Sequence, residues 1–375
     1  MNMQQNKEVK ILLAGGGTGG SVTPLLAVAD EIKKVKPKTH FLFVGTKKGP
    51  EKILVQESGM EFTTIPSAKF RRYFSLQNIL DVFIFLVSLV RSFLLVRKFK
   101  PDVIFSAGGF VAVPVSWAGK LLGSKIVIHQ QDARIGLANK LIAPFADKIT
   151  TAFEYTAKNF YSGSGLFMKS WNPPAEWIGN PVRKEFFDAS APNKDFFRLN
   201  DRLPVLLVIG GATGSEQINQ VVELALPELL KSHQVIHVTG RDKNVALSED
   251  PNYHPYKFLD KEIFSAFKLA HLVLARAGLS TLAELSALGK IAIIVPMPNS
   301  HQEDNAIILK NTGSAVVLSE QEFTPEDLVR VIVSLKFNPA RQQTLSKNIQ
   351  QLFPREASVK LAKIIIKTIN GTTSS

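Results

Sequence analysis

The chain contains no cysteine. That excludes disulfides, thiolate metal sites and a cysteine nucleophile, and it fits a reducing compartment. It has no H-E-x-x-H and no other cluster with metal-ligand spacing, so no protein-held metal is expected. An apolar run long enough to span a bilayer is missing too. Ile79–Val96 is strongly apolar, but Asp81 and Arg91 interrupt it, and a spanning helix needs ~18 such residues in a row. The start, MNMQQNKEVK, is polar and leads directly into a strand pattern, unlike a signal peptide, so a cytoplasmic protein is expected. Low-complexity tracts and RNA-recognition motifs do not occur, and no nucleic-acid partner is expected.

Acid is scarce in one half only. Residues 1–180 hold 23 Lys and Arg against 12 Asp and Glu; residues 181–375 hold 22 against 20. Nearly all of the net charge of +13 therefore lies in the first half. That half is expected to meet something anionic, such as a phosphorylated substrate or an anionic membrane. The total of 375 residues, 45% of them hydrophobic, supports a sizeable core and suggests two domains.

The remaining sequence reads as alternating strands and helices. Strands are expected at Val9–Ala14, Phe41–Val44, Val103–Ser106 and Ile126–His129, with a helix from about Pro24 to Lys34. The pattern restarts at Leu203–Ile209, with further strands at Val235–Thr239, Leu272–Ala275 and Ile291–Pro296. VKILLAGGGTGGS and PVLLVIGGATGS form a coarse internal repeat of strand, glycine turn and helix. This predicts an α/β fold with two doubly wound parallel sheets, ligands lying at the carboxyl ends of the strands. The domains expected are 1–178 and 179–355. Residues 161–181 offer a hinge, and a last helix, Ala357–Ile369 within 356–375, docks back on the first domain.

Three segments carry chemistry. In the first glycine loop, Gly15, Gly17 and Gly20 formally spell G-x-G-x-x-G, but the next strand ends in Gly45, Thr46, Lys47 and Lys48. The acid that a nicotinamide cofactor's ribose wants there is absent, so a phosphorylated or sugar ligand is the better reading. In the second segment, RAGLSTLAE, Gly278 turns the chain, and Leu279, Ser280 and Thr281 open a helix able to hold a diphosphate. Glu284 follows on the same face and could take two sugar hydroxyls. Thr281-x-x-Glu284 also satisfies a capping box, and spacing leaves the two readings open. In the third, HQEDNA, His301, Gln302, Asp304 and Asn305 stand where a helix begins. Finally, Lys69, Arg71, Arg72, Tyr73 and Phe74 precede the apolar stretch, and Arg97 and Lys98 follow it. Basic and aromatic flanks of this kind fit an element lying on anionic lipid.

Together these motifs resemble the MurG-type family of bacterial glycosyltransferases. The resemblance spans most of the chain, through GGGTGG, SAGGFVAVP, HQQDARIGLANK, IGNPVR, GGATGSEQINQ, RAGLSTLAE and HQEDNA. It implies a GT-B fold, two Rossmann-like domains facing across a cleft, on the cytoplasmic face of the membrane. It also implies inverting transfer of GlcNAc from UDP-GlcNAc, a substrate, to the muramyl 4-hydroxyl of lipid I, with no cofactor. By position, Glu284 would hold the ribose, and Leu259 would pack by the uracil through its backbone. Gly278, Leu279, Ser280 and Thr281 would hold the diphosphate, and Gln302 and Asn305 the GlcNAc hydroxyls. Thr18, Gly19, Gly20 and Arg183 would line the cleft, with Thr213 and Gly214 in the second glycine loop.

The chain departs from that family at three places. Ser21 stands where the family has histidine, and Ala212 where it has serine, with Thr213 beside it. His129, Gln130, Gln131 and Asp132 replace the family's H-E-Q-N. Neither Ser21 nor Gln130 is a base, which leaves Asp132 as the candidate and His129 behind it. The alternatives are another UDP-sugar transferase, a UDP-GlcNAc 2-epimerase of the same fold, or a nucleotide-sugar-binding protein that has lost catalysis.

Overall fold

The computed structural model describes residues 8–16, 19–47, 49, 51–66, 77–161, 173–188, 190–211, 214–241, 243 and 248–371. Thr18, Lys69, Arg71, Arg72, Tyr73, Phe74 and Thr213 lie outside them, as does most of the expected hinge. The chain forms two compact units, residues 1–183 with 354–375, and residues 184–353.

The first unit holds a seven-stranded sheet in the order β3-β2-β1-β4-β5-β6-β7. The strands are β1 Lys10–Ala14, β2 His40–Gly45, β3 Glu61–Thr64, β4 Val103–Ser106, β5 Lys125–Gln130, β6 Lys148–Thr151 and β7 Ala175–Trp177. All neighbours run parallel; Ala14 is in register with Val44 on one side and Ser106 on the other. Side chains of a strand alternate between faces. Ile11 and Leu13 enter one core with Leu25, Val28, Phe43 and Leu361. Leu12 and Ala14 enter the other with Val44, Ile104, Val115 and Ile128. Burial on both faces explains why β1 reads as an unbroken apolar run rather than as an alternation.

Helix Thr23–Val35 and the last helix, Ala357–Ile369, share the first of these cores. Ala357, Leu361 and Ile365 recur every four residues and form its buried stripe. Helix Gln77–Phe99 contributes Val96 to the second core, on the opposite face of the sheet. The division between units falls after Arg183, somewhat later than the sequence suggests. Ile178 is wholly buried in the first core, and Gly179 (φ 84°) packs so closely on Pro354 that a Cβ would come within 2.7 Å of its ring.

The second unit repeats the plan with six parallel strands, ordered β10-β9-β8-β11-β12-β13. They are β8 Val205–Ile209, β9 Gln234–Val238, β10 Tyr253–Tyr256, β11 Leu272–Ala275, β12 Ile291–Ile294 and β13 Val316–Val317. In both sheets the first strand of the unit lies inside the order and the next two run outward from it. The glycine turns after β1 and β8 therefore sit where the winding reverses, at the carboxyl ends of the strands.

Candidate active site

In the first unit, four loops meet at the carboxyl edge of the sheet. Gly15 N–H donates to Val44 O (3.2 Å) as the chain leaves β1. Gly109, after β4, has φ 96°, and a Cβ there would lie 2.9 Å from Gly16 O, so the two glycine loops touch through bare backbone. After β2, the Glu51 carboxylate is fully buried and accepts from Thr46 N (2.7 Å) and from the Thr46 hydroxyl. The acid nearest to β2 is thus engaged in holding its own loop. Gly19–Ser21 make a single 3-10 turn, and Ser21 is buried.

The loop after β5 is tied down by amides. Gln131 Nε2 donates to Gly20 O (2.9 Å), linking β5 to the first glycine loop. Gln130 uses both ends of its side chain. Nε2 donates to Asp132 O (2.8 Å) and Arg134 O (3.0 Å), while Oε1 accepts from Asn139 Nδ2 (2.7 Å) and Gly136 N (3.2 Å). Asp132, half-buried, starts the segment that Gln130 holds. His129 lies fully buried beneath them. Asn180 donates through Nδ2 to Pro181 O (3.3 Å), so its Oδ1 is the acceptor facing His129 Nε2 (3.3 Å). Nδ1 lies 3.0 Å from the Thr150 hydroxyl, which donates to Ile128 O (3.1 Å). Burial outweighs the Asn180 bond and lowers the His129 pKa to about 4. Neutral, enclosed and bonded at both nitrogens, His129 serves the loop rather than a proton transfer to substrate.

In the second unit, Gly210–Ser215 turns the chain from β8 into helix Glu216–Leu229. Gly214 (φ 73°) has no room for a side chain, since a Cβ would come within 2.1 Å of Thr239 O. Ser215 caps the helix by accepting from Ile218 N (3.4 Å). After β11, helix Leu279–Leu288 begins with Gly278 as its N-cap. This corrects the capping-box alternative: Thr281 is the third helical residue, not the cap. The helical ladder begins with the bond from Leu282 N to Gly278 O (3.1 Å), and the N–H groups of the first turn point out of the helix's N-terminal end. Those donors and the positive end of the helix favour an anion. Glu284 stands half-buried one turn further on.

Helix His301–Asn311 starts at the Ser300 cap. Gln302 Oε1 accepts from Met297 N (3.0 Å). Asn305 is fully buried and donates to Ala277 O (3.0 Å), fixing the residue before the Gly278 turn. Leu259 is buried in the loop after β10, next to Phe258, whose ring lies 4.0 Å from the Arg241 guanidinium. Arg183, half-buried, ends the first unit.

Sequence reasoning passed over Gln131, Asn180 and Arg276. Gln131 and Asn180 stand inside HQQD and IGNP, so the signal was their place within motifs already singled out. Among the described residues, no group of three or more His, Asp or Glu is placed to hold a metal.

Residues 11–151 match the glycosyltransferase family 28 N-terminal domain, and residues 205–361 match the C-terminal domain of the same family. A protein of Pediococcus pentosaceus is 32% identical over 95% of this chain and 99% of its own. It is named UDP-N-acetylglucosamine–N-acetylmuramyl-(pentapeptide) pyrophosphoryl-undecaprenol N-acetylglucosamine transferase. The crystal structure of Acinetobacter baumannii MurG superposes with a TM-score of 0.71 at 22% identity, covering 96% of this chain and 100% of that one. A UDP-N-acetylglucosamine 2-epimerase shares the architecture, with a TM-score of 0.67 at 14% identity over 98% and 99% of the two chains. At such identities these structures speak to the fold, two parallel-sheet α/β units of the GT-B type. On the family match and the end-to-end similarity to that transferase, this chain belongs to glycosyltransferase family 28.

Proposed function

We propose that this protein transfers N-acetylglucosamine from UDP-GlcNAc to lipid I, the undecaprenyl-pyrophosphoryl-MurNAc-pentapeptide, forming lipid II for peptidoglycan. The observation that carries this reading is similarity along the whole chain to a relative named for that reaction. A shared fold would not separate a transferase from an epimerase. An end-to-end relative at this identity, with both family domains in order, favours the transferase.

The donor binds the second unit. Its diphosphate lies against the N–H groups of Leu279, Ser280 and Thr281, and Glu284 accepts from the ribose hydroxyls. Leu259 backs the uracil, and Gln302 and Asn305 face the GlcNAc. Thr213 and Gly214, with Gly19, Gly20, Thr18 and Arg183, border the phosphates and reacting sugars. The muramyl 4-hydroxyl attacks the anomeric carbon opposite the departing UDP, inverting the centre, while a base removes the hydroxyl proton. Asp132 is that base. It is an ionisable group carried at the carboxyl edge of the first sheet, its backbone held by Gln130. Ser21 occupies the place of the family histidine without its chemistry.

The protein works at the cytoplasmic face of the membrane as a peripheral enzyme. No described helix is long and apolar enough to cross a bilayer. Helix Gln77–Phe99 supplies an exposed apolar surface, with Arg97 and Lys98 at its end and Lys69, Arg71, Arg72, Tyr73 and Phe74 before it.

Transfer of labelled GlcNAc to a short-chain lipid I analogue tests the reading, with Asp132→Asn alongside. Turnover is expected in the parent. In the variant it should fall by about 10²–10⁴-fold, the range of a lost general base, with UDP binding intact. A parent that binds UDP tightly but transfers nothing would instead be a nucleotide-sugar-binding protein.

A further inference from the structure

Arg276 follows β11 directly and precedes the Gly278 turn, beside the expected diphosphate. A cation there invites the role of phosphate ligand, yet its hydrogen bonds lead elsewhere. Nε and Nη2 donate to Ser215 Oγ (3.2 and 2.9 Å), the cap of helix Glu216–Leu229. Nη2 also reaches Gln217 Oε1 (3.1 Å) and Glu320 Oε1 (3.3 Å). Nη1 donates to Val295 O (3.3 Å) and Pro296 O (3.0 Å). All three nitrogens are engaged within the protein, the side chain is 12% exposed, and Glu320 balances its charge. A guanidinium has five N–H hydrogens in a fixed fork, and five acceptors surround this one.

The partners come from consecutive places along the sheet. Ser215 and Gln217 follow β8, Val295 and Pro296 follow β12, and Glu320 follows β13. β8, β11, β12 and β13 are neighbours in that order. One side chain thus sets the spacing between the Gly210–Ser215 turn and the segment that leads to Gln302 and Asn305. We infer that Arg276 is a positioning residue for the UDP-sugar, a clamp across the strand ends rather than a ligand of the diphosphate. The inference rests on the second unit being the donor site.

Three donors on a single ammonium cannot span these acceptors, so lysine keeps the charge and loses the clamp. Steady-state kinetics of Arg276→Lys and Arg276→Ala test this, with Arg276→Ala also assayed in millimolar guanidinium and, separately, in methylammonium at equal ionic strength. Both variants should raise KM for UDP-GlcNAc by tenfold or more and leave KM for the lipid acceptor unchanged. Guanidinium should restore part of the loss, and methylammonium none. A wild-type KM in Arg276→Lys would overturn the clamp, because charge alone would then suffice. So would variants that lose thermal stability with both KM values unchanged. If the parent transfers no GlcNAc, it is the proposed reaction that fails. UDP calorimetry on the same variants then decides the clamp by the same criterion, loss of affinity in both and rescue by guanidinium only.

Discussion

Glu284 stands three residues after Thr281 in helix Leu279–Leu288, so the two share a face. A carboxylate there can accept from both hydroxyls of a ribose whose diphosphate meets the first turn. Glu284→Ala is expected to weaken UDP binding by about 1–3 kcal/mol, the scale of a lost charge-assisted hydrogen bond. Calorimetry giving an unchanged Kd would remove Glu284 from the site. Local spacing was compatible with a cap as well, and no rule of sequence could separate the two. The helix start at Leu279, two residues before Thr281, removes the cap reading. Nor could sequence show that Gln130 uses its amide to hold Asp132 and Arg134. Those bonds depend on a loop doubling back over its own strand.

At the scale of one element, helix Gln77–Phe99 has two faces of different purpose. Ser88, Ser92 and Val96 are buried, each four residues from the next. Val82, Leu86, Val90 and Leu94 form a second stripe at the same spacing and are exposed, between 51% and 61%, with Phe83 at 70% beside them. An apolar stripe left open along a helix marks an interaction surface, and Arg91, Arg97 and Lys98 on exposed positions suit an anionic one. Replacing Leu86 and Val90 together by aspartate should abolish most flotation with anionic liposomes and leave turnover of a soluble acceptor intact. Undiminished flotation would overturn the assignment of this stripe to a membrane surface. The sequence signalled an apolar helix with basic flanks. It could not divide the helix into faces, because apolar residues occur all round it and only its neighbours decide which are covered.

For the whole molecule, the buried histidines tie stability to pH. His129 in the first unit and His237 in the second are both held near a pKa of about 4, chiefly by burial. His237 is bonded to Asn219 Oδ1 (3.1 Å) and the Tyr253 hydroxyl (3.0 Å), so each ring is neutral and partnered. Unfolded, each would titrate near 6.5. Between those values the unfolded chain binds the proton and the folded one does not. Stability is therefore complete above about pH 6.5 and falls as pH drops toward about 4, by about 1.4 kcal/mol per pH unit for each histidine. The three tryptophans, at 117, 171 and 177, all belong to the first unit. Their fluorescence in a urea series should report the His129 share, and far-ultraviolet dichroism both units. Midpoints that stay level from about pH 7.5 to about pH 5 would contradict this account.

The sequence by itself determined the two α/β units, their parallel strands and the glycine turns at the strand ends. These follow from short-range rules, apolar runs of strand length and glycines where backbone must approach backbone, as at Gly16 with Gly109. Motif order along the chain carried the family. Tertiary structure alone decided how the site is braced. Gln131 meets Gly20 across 111 residues, His129 meets Asn180 across 51, and Arg276 meets Ser215 across 61. Such bonds have no period and no local partner. A glutamine or arginine satisfied within the protein has the same letter as one facing solvent, and only the folded sheet brings its acceptors within reach.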